Sequence, residues 1–148
     1  MGVGARIAGV AGAAVAMAWV GAGPAGAGPA PAQNHRVEET HEFSLPGTAT
    51  SCTVRVFTDV WDDGFGYTST RIVEDQGPDD PCLGDVTMDV RYVEEGGGEE
   101  HLVVRGPGGA SVEVSDVAEP YPSRSFRVEH TVYFATCDCT TTYTTSPK

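Results

Sequence analysis

The chain has 148 residues with 21 acidic and nine basic side chains, which gives a net charge of −12 at neutral pH. A surface this acidic repels phosphate backbones and anionic lipid head groups, which argues against nucleic acid or a membrane as partner. We expect a protein or a carbohydrate instead, bound through hairpin loops. Nothing in the sequence indicates a cofactor or an oligomeric state.

The first 32 residues have the layout of a secretory signal peptide. Arg6 is their only charge, residues 7–20 form an apolar stretch, and a Gly/Ala/Pro segment follows. The apolar stretch is too short for a transmembrane helix, which needs about 20 residues. We predict cleavage before Gln33, after the small-residue motif Ala30-Pro31-Ala32, with residues 25–27 as the alternative site. The mature protein is then secreted and extracellular, without a membrane anchor.

Residues 33–148 are of the length of one domain. All 21 acidic side chains lie in this part, whereas Arg6 leaves with the leader, so the mature net charge becomes −13. Folding at this size buries roughly two thirds of the surface of the unfolded chain. We therefore expect a modest core that cross-links would stabilise.

Alternation of apolar and polar residues with period two dominates the mature part, as expected for half-buried strands. In "SCTVRVFTDVW", Cys52, Val54 and Val56 share one face, while Arg55 and Phe57 take the other. Similar segments are "DVTMDVRYV" and "SFRVEHTVYFA", and shorter candidates span 36–44, 66–74, 99–105 and 110–117. No apolar period of 3.6 residues is long enough for a helix. The sequence therefore predicts an all-β domain of about seven strands.

The turns between these strands predict an antiparallel β-sandwich. Asp63-Gly64 is a strong hairpin signal, because Gly favours positive φ in tight turns. "EEGGGEE" and "RGPGGA" are each short enough to join antiparallel neighbours, whereas 74–85 and 118–123 have the length of crossings between sheets. An immunoglobulin-like Greek key is our first expectation, and a small closed β-barrel is the alternative.

Four cysteines, Cys52, Cys82, Cys137 and Cys139, predict two disulfide bonds in an exported chain. In an extended strand Cys137 and Cys139 would lie about 6.6 Å apart, with side chains projecting in parallel. We therefore expect each of them to pair with one of the two upstream cysteines. The competing hypothesis takes C-x-C as a soft metal site for copper or zinc, completed by His or Met.

Trp61, Phe65 and Tyr67 surround the first predicted hairpin and are the candidate partner-binding residues. Their rings could stack on a sugar or anchor a protein, or form cross-strand pairs that cover a small core. Carboxylates in "WDDG" and "EDQGPDD" suit either a calcium site or solvated turns, although neither segment matches an EF-hand loop.

Catalytic motifs are missing from the sequence. His35, His41, His101 and His130 stand in unrelated contexts, and nothing resembles G-x-S-x-G or H-E-x-x-H. His130 alternates with Phe126, Val128 and Val132, which favours a structural imidazole in the core. The Thr-rich C-terminal end suits an edge strand or a frayed tail. We expect a secreted, non-catalytic binding or structural module, with a small hydrolase or a calcium-dependent module as alternatives.

Overall fold

Eight antiparallel strands make up most of residues 33–75 and 77–148, the part described by the computed structural model. The expected leader, residues 1–32, lies outside these residues. The strands are β1 (Asn34–Ser44), β2 (Ser51–Trp61), β3 (Gly66–Ile72), β4 (Gly84–Val93), β5 (Glu99–Pro107), β6 (Gly109–Val114), β7 (Phe126–Phe134) and β8 (Cys139–Thr145). Sheet A has the order β1-β2-β3-β6, and sheet B has the order β5-β4-β7-β8.

The two sheets confirm the predicted all-β sandwich, with eight strands where the sequence indicated about seven. The barrel alternative is wrong, because each sheet ends in two strands that have one neighbour only. The connection between β2 and β3 differs from that of an immunoglobulin constant domain, whose second and third strands lie in opposite sheets. Here β2 and β3 pair directly, from Val54↔Ile72 to Val60↔Gly66.

The inward faces of the two sheets form one apolar core, and the period-two pattern predicted most of its members. Valine fills the central positions, while larger side chains from both ends close the core. The fully buried residues include Val54, Val56, Val60, Ile72, Val86, Met88, Val90, Phe126, Val128, Val132 and Phe134. Because side chains alternate along a strand, the outer faces carry the charged residues.

Two of the predicted hairpins are present, and a third segment has a different role. Glu94 N–H donates to the Gly98 carbonyl at 2.8 Å and closes the β4–β5 hairpin in "EEGGGEE". "RGPGGA" was predicted to join neighbouring strands, but it carries the chain from β5 in sheet B to β6 in sheet A. Gly108 has φ of 65° there, and a Cβ on Gly106 would collide with the Gly109 carbonyl oxygen. The glycines permit this corner between sheets.

The first disulfide joins Cys52 at the start of β2 to Cys82 in the loop between β3 and β4. Their Cα atoms are 5.7 Å apart, and both residues are buried. The bond attaches the crossing segment 74–85 to the end of the sandwich. Two disulfides were predicted and two are present, but Cys52 and Cys82 were expected to pair with the C-terminal cysteines, and that expectation is wrong.

The second disulfide joins Cys137 to Cys139, the pairing that the sequence argument disfavoured. That argument assumed an extended strand through both residues. Instead β7 ends at Phe134, residues 135–138 form a turn, and β8 begins at Cys139, with Asp138 at φ of 49°. The turn brings the two Cα atoms to 5.1 Å, within the range that a disulfide spans. Both residues are disulfide-bonded, which also removes the C-x-C metal site.

A chain of polar side chains crosses the core between the sheets. Nδ1 of His130 lies 2.6 Å from Oγ1 of Thr70, and Nε2 lies 2.8 Å from Oγ1 of Thr145. Thr145 contacts Thr58 at 2.8 Å, and Thr58 contacts Thr68 at 2.9 Å. His130 and Thr145 belong to sheet B, whereas the other three belong to sheet A. The structural imidazole predicted at position 130 is confirmed.

The directions of the hydrogen bonds between Thr68 and His130 follow from the last member of this chain. The Thr68 hydroxyl donates to the Phe57 carbonyl oxygen at 2.8 Å, because that oxygen can only accept. Thr68 must then accept from Thr58, and Thr58 must accept from Thr145. Thr145 in turn accepts from Nε2–H of His130. The chain therefore requires a proton on Nε2. Burial lowers the pKa of His130 to about 4, so the imidazole is neutral at pH 7 and its Nδ1 accepts from Thr70.

The two disulfides should differ in their contribution to stability. In the chain-entropy model the 30-residue separation of Cys52 and Cys82 corresponds to about 4 kcal/mol, and the Cys137–Cys139 ring to about 1.5 kcal/mol. We expect the double variant Cys52→Ala/Cys82→Ala to lose more than twice the unfolding free energy lost by Cys137→Ala/Cys139→Ala, measured by urea denaturation. Equal losses, or a peptide map of the non-reduced protein with other pairings, would contradict this structure.

The protein should become less stable as the pH is lowered, because of His130. Burial, reinforced by the charge of His41, lowers the pKa of His130 from 6.5 to about 4. Below pH 6.5 the unfolded state gains a proton that the folded state does not bind, so unfolding becomes easier as pH falls toward 4, by about 3 kcal/mol in all.

The measurement is urea denaturation of wild type, His130→Gln and the exposed control His101→Gln from pH 6.5 to about 5, above the pKa range of most carboxylates. Only His130→Gln should lose the downward trend. The outcome that contradicts the assignment is an NMR titration of the His130 ring in the folded protein with a midpoint near 6.5.

Candidate binding surface

The β2–β3 hairpin forms as predicted from Asp63-Gly64. Trp61 N–H donates to the Phe65 carbonyl at 2.8 Å, so three residues make the loop, and Gly64 has φ of 83°. Asp63 Oδ1 accepts from the Phe65 N–H at 3.3 Å. Three-residue hairpin loops of this kind need a left-handed residue at their last position, which glycine adopts without strain.

The three candidate aromatic residues lie on and beside this hairpin. Two of them pack against each other, and the third packs against Phe57. Trp61 packs against Phe65 with ring centroids 5.6 Å apart, and Phe65 is 37% exposed at the tip. Tyr67 packs against Phe57 at 5.7 Å on the outer face of sheet A. The structure thus adds Phe57 to the predicted set. Its outward face was evident from the alternation in β2, but its contact with Tyr67 depends on the β2–β3 register.

Phe57 and Tyr67 line a groove of about 340 Å³ on the outer face of sheet A. We call this groove the aromatic groove; its other outward-facing side chains are Glu38, Arg55, Ser69 and Arg71. At one side the guanidinium of Arg36 covers the Phe57 ring, with Cζ 4.6 Å from the ring centroid, and donates to Glu38 at 3.0 Å. Strands β1, β2 and β3 hold these side chains on a rigid sheet.

Two arginines stand directly opposite each other in the aromatic groove. Arg55 of β2 is paired in register with Arg71 of β3, and both side chains are exposed. Neither makes an ion pair within 4.0 Å in the described part of the chain. Like charges directly opposite in a sheet are destabilising, so the two guanidiniums do not stabilise each other. Their N–H groups remain free to donate to an anion.

Asp59 lies near the aromatic groove on the same face, between Arg36 of β1 and Tyr67 of β3 in register. It is only 4% exposed, and its Oδ1 has no hydrogen-bond partner among the described residues. Oδ2 accepts a long hydrogen bond from Asn34 at 3.4 Å. A buried oxygen without a donor is costly, so a donor from water or a ligand would stabilise this site.

Carboxylates of the acidic loops accept hydrogen bonds from main-chain N–H groups. Glu74 accepts from the main-chain N–H of Thr53 at 2.7 Å and from its hydroxyl at 2.6 Å. Burial opposes ionisation of Glu74, but these hydrogen bonds prevail and lower its pKa. Asp75 accepts from Gly84 N–H at 3.2 Å, and Asp80 accepts from Cys82 N–H at 2.8 Å. Residues 33–75 and 77–148 contain no cluster of three metal-ligating side chains.

The three partly exposed histidines each contact a carboxylate. His35 lies 3.0 Å from Asp62, His41 lies 2.9 Å from Glu39, and His101 lies 2.9 Å from Asp89. Within the described residues no hydrogen bond joins a serine to a histidine. A serine nucleophile activated by an imidazole, the arrangement that a small hydrolase of that class needs, is therefore not formed here.

Comparison with protein-family models, curated proteins and solved structures found no match to this chain. In the portion that the structure describes, no helix is long and apolar enough to span a membrane. The aromatic groove therefore has to be interpreted from its own geometry.

Calcium should not affect stability, because the loop carboxylates already bind main-chain N–H groups. We expect the same melting temperature in calcium chloride and in EDTA, measured by circular dichroism. A calcium-dependent rise of several degrees that is lost in Asp80→Asn but kept in the solvent-facing control Glu113→Gln would contradict this prediction.

Proposed function

We propose that the chain is an exported, non-catalytic module that binds an acidic carbohydrate in the aromatic groove. The observation that carries the proposal is the combination of two ring faces with two guanidiniums that lack ion-pair partners in the described residues. Export is supported by the order of charge, apolar stretch and cleavage motif in residues 1–32. Two disulfides are also typical of proteins that fold in an oxidising compartment.

The polarity of the aromatic groove favours a hydroxylated ligand. Apart from Phe57 and Tyr67, its outward-facing side chains are charged or carry a hydroxyl. A protein interface of high affinity has an apolar centre surrounded by a polar rim, whereas here polar groups lie beside each ring. Sugar rings offer C–H faces to aromatic side chains and hydroxyls to polar ones, so a carbohydrate fits this alternation.

The charge of the aromatic groove favours an acidic sugar. The whole chain carries −12, yet Arg55 and Arg71 place two positive charges side by side at this point. A carboxylate or sulfate between them would relieve their mutual repulsion and accept bidentate hydrogen bonds from a guanidinium. The negative charge of the rest of the chain opposes polyanions in general, so the local attraction has to come from these two guanidiniums.

The geometry supports binding over catalysis. Glu38 is paired with Arg36, and Asp59 lies buried beneath the surface of the same face. Glycoside hydrolysis needs two carboxyl groups that flank the scissile bond, one of them available as a proton donor. A groove with a single exposed carboxylate in an ion pair suits retention of a ligand.

Single substitutions in the aromatic groove should weaken binding without loss of fold. We expect Tyr67→Ala and Arg71→Gln each to weaken binding to immobilised polygalacturonate or hyaluronan by about tenfold. Matched controls on the outer face of sheet B, Tyr133→Ala and Arg105→Gln, should bind like wild type. Affinity is measured by biolayer interferometry, with neutral dextran as the reference surface.

Added salt should reduce the affinity of wild type more than that of Arg71→Gln, because one charge contact is missing in the variant. If the sheet B controls lose as much affinity as the groove variants, the assignment of the binding site to the aromatic groove is wrong. Binding to neutral and acidic glycans alike would contradict the role of the arginine pair. If the chain binds no glycan but a second protein can be cross-linked to it at Tyr67, the ligand of the groove is a protein and the carbohydrate proposal is wrong.

A further inference from the structure

Two reciprocal hydrogen bonds join Gln33, the residue before β1, to Asp62 in the β2–β3 turn. The main-chain nitrogen of Gln33 donates to Oδ2 of Asp62 at 3.2 Å. The main-chain N–H of Asp62 donates to the Gln33 carbonyl at 3.1 Å. A side-chain carboxylate on the tip of the hairpin therefore reaches the nitrogen of the residue at which the mature chain is predicted to begin.

The other oxygen of Asp62 is also engaged. Oδ1 lies 3.0 Å from Nε2 of His35, whose side chain is only 11% exposed. A hydrogen bond to the main chain of Lys148, together with Asp62, raises the pKa of His35 against the opposing effect of burial. Gln33 and His35 thus converge on the Asp62 carboxylate, and the main chain of Lys148 reaches His35.

Cleavage of the leader would change the charge at this point. Hydrolysis of the Ala32–Gln33 bond consumes one water and leaves a carboxylate on Ala32 and an α-ammonium group on Gln33. The neutral amide donor that contacts Asp62 becomes a cation at the same position, and the hydrogen bond becomes an ion pair. We propose that Asp62 is the counter-ion of the mature N-terminus and protects Gln33 from cyclisation to pyroglutamate. This inference depends on the export step of the proposed function.

The protection follows from the chemistry of cyclisation. The neutral α-amine of an N-terminal glutamine attacks the side-chain carbonyl carbon, a C–N bond forms, and the amide nitrogen leaves as ammonia. An ammonium group has no lone pair for this attack. A carboxylate at hydrogen-bond distance favours the protonated amine and raises its pKa above the usual value of about 8.

The experiment compares full-length proteins exported by a bacterial host and collected after processing. Intact mass and the N-terminal peptide identify the cleaved bond, and loss of one ammonia reports cyclisation during incubation at about pH 7. Wild type should begin at uncyclised Gln33. Asp62→Asn should cyclise about threefold to tenfold faster, because the neutral amine is more populated.

Two controls separate the ion pair from general loosening of the strand. Asp63→Asn removes the neighbouring carboxylate, and His35→Gln removes the imidazole but keeps Asp62; both should cyclise like wild type. At about pH 10 the α-amine of Gln33 is mostly neutral in both proteins, so the rates of wild type and Asp62→Asn should converge. If Asp62→Asn does not fold, an NMR titration of the wild-type α-amine, with its expected pKa above 8, provides the test.

Several results would overturn the inference. They are cleavage at another bond, wild type recovered fully as pyroglutamate, equal rates for wild type and Asp62→Asn, or an α-amine that titrates at its ordinary pKa. Each of them leaves glycan binding in the aromatic groove unaffected. A chain that keeps its leader and stays inside the cell would instead defeat the export step itself.

Discussion

The hydrogen-bonded chain that runs from Thr70 through His130 to Thr68 is the constraint on which the alignment of the two sheets depends. Hydrophobic burial is non-directional, so burial of the valines alone selects one alignment of the sheets only weakly. Two hydrogen bonds of the chain join opposite sheets, Thr70 to His130 at 2.6 Å and Thr58 to Thr145 at 2.8 Å, and their geometry does not tolerate a shift of one sheet against the other. A displacement of either sheet would leave hydroxyls and an imidazole unpaired in a dry core, which is costly. The polar chain therefore specifies one arrangement among the many that packing alone would allow.

Local patterns in the sequence predicted local structure well. Alternation around Val54 and Val128 identified strands and their buried faces, and Asp63-Gly64 identified a hairpin. The interpretation failed where the outcome depends on residues far apart in the chain. Nothing near Gly108 indicates whether the chain returns beside the same strand or bends into the other sheet. Cysteine pairing failed for a local reason instead: the turn before Cys139 contains no glycine, and Asp138 adopts the left-handed conformation there.

The candidate binding residues show the same division. Trp61, Phe65 and Tyr67 could be selected because they are large, aromatic and close to a recognisable turn. Phe57 and the two arginines could be placed on the outward face, but which side chains stand opposite each other depends on the register of β2 against β3. The register is set by the three-residue loop and by the buried valines together. The sequence therefore predicts the strands of a sheet better than it predicts which side chains lie together on the surface of that sheet.

The corner at Gly108 affects how the domain unfolds. Strands β5 and β6 are separated by that one residue, so a nearly continuous extended segment belongs to both layers of the sandwich. Neither layer can peel away while the other persists, because the shared segment transmits any separation to both. The domain should therefore lose its structure as one cooperative unit, without a half-folded species that proteases could attack.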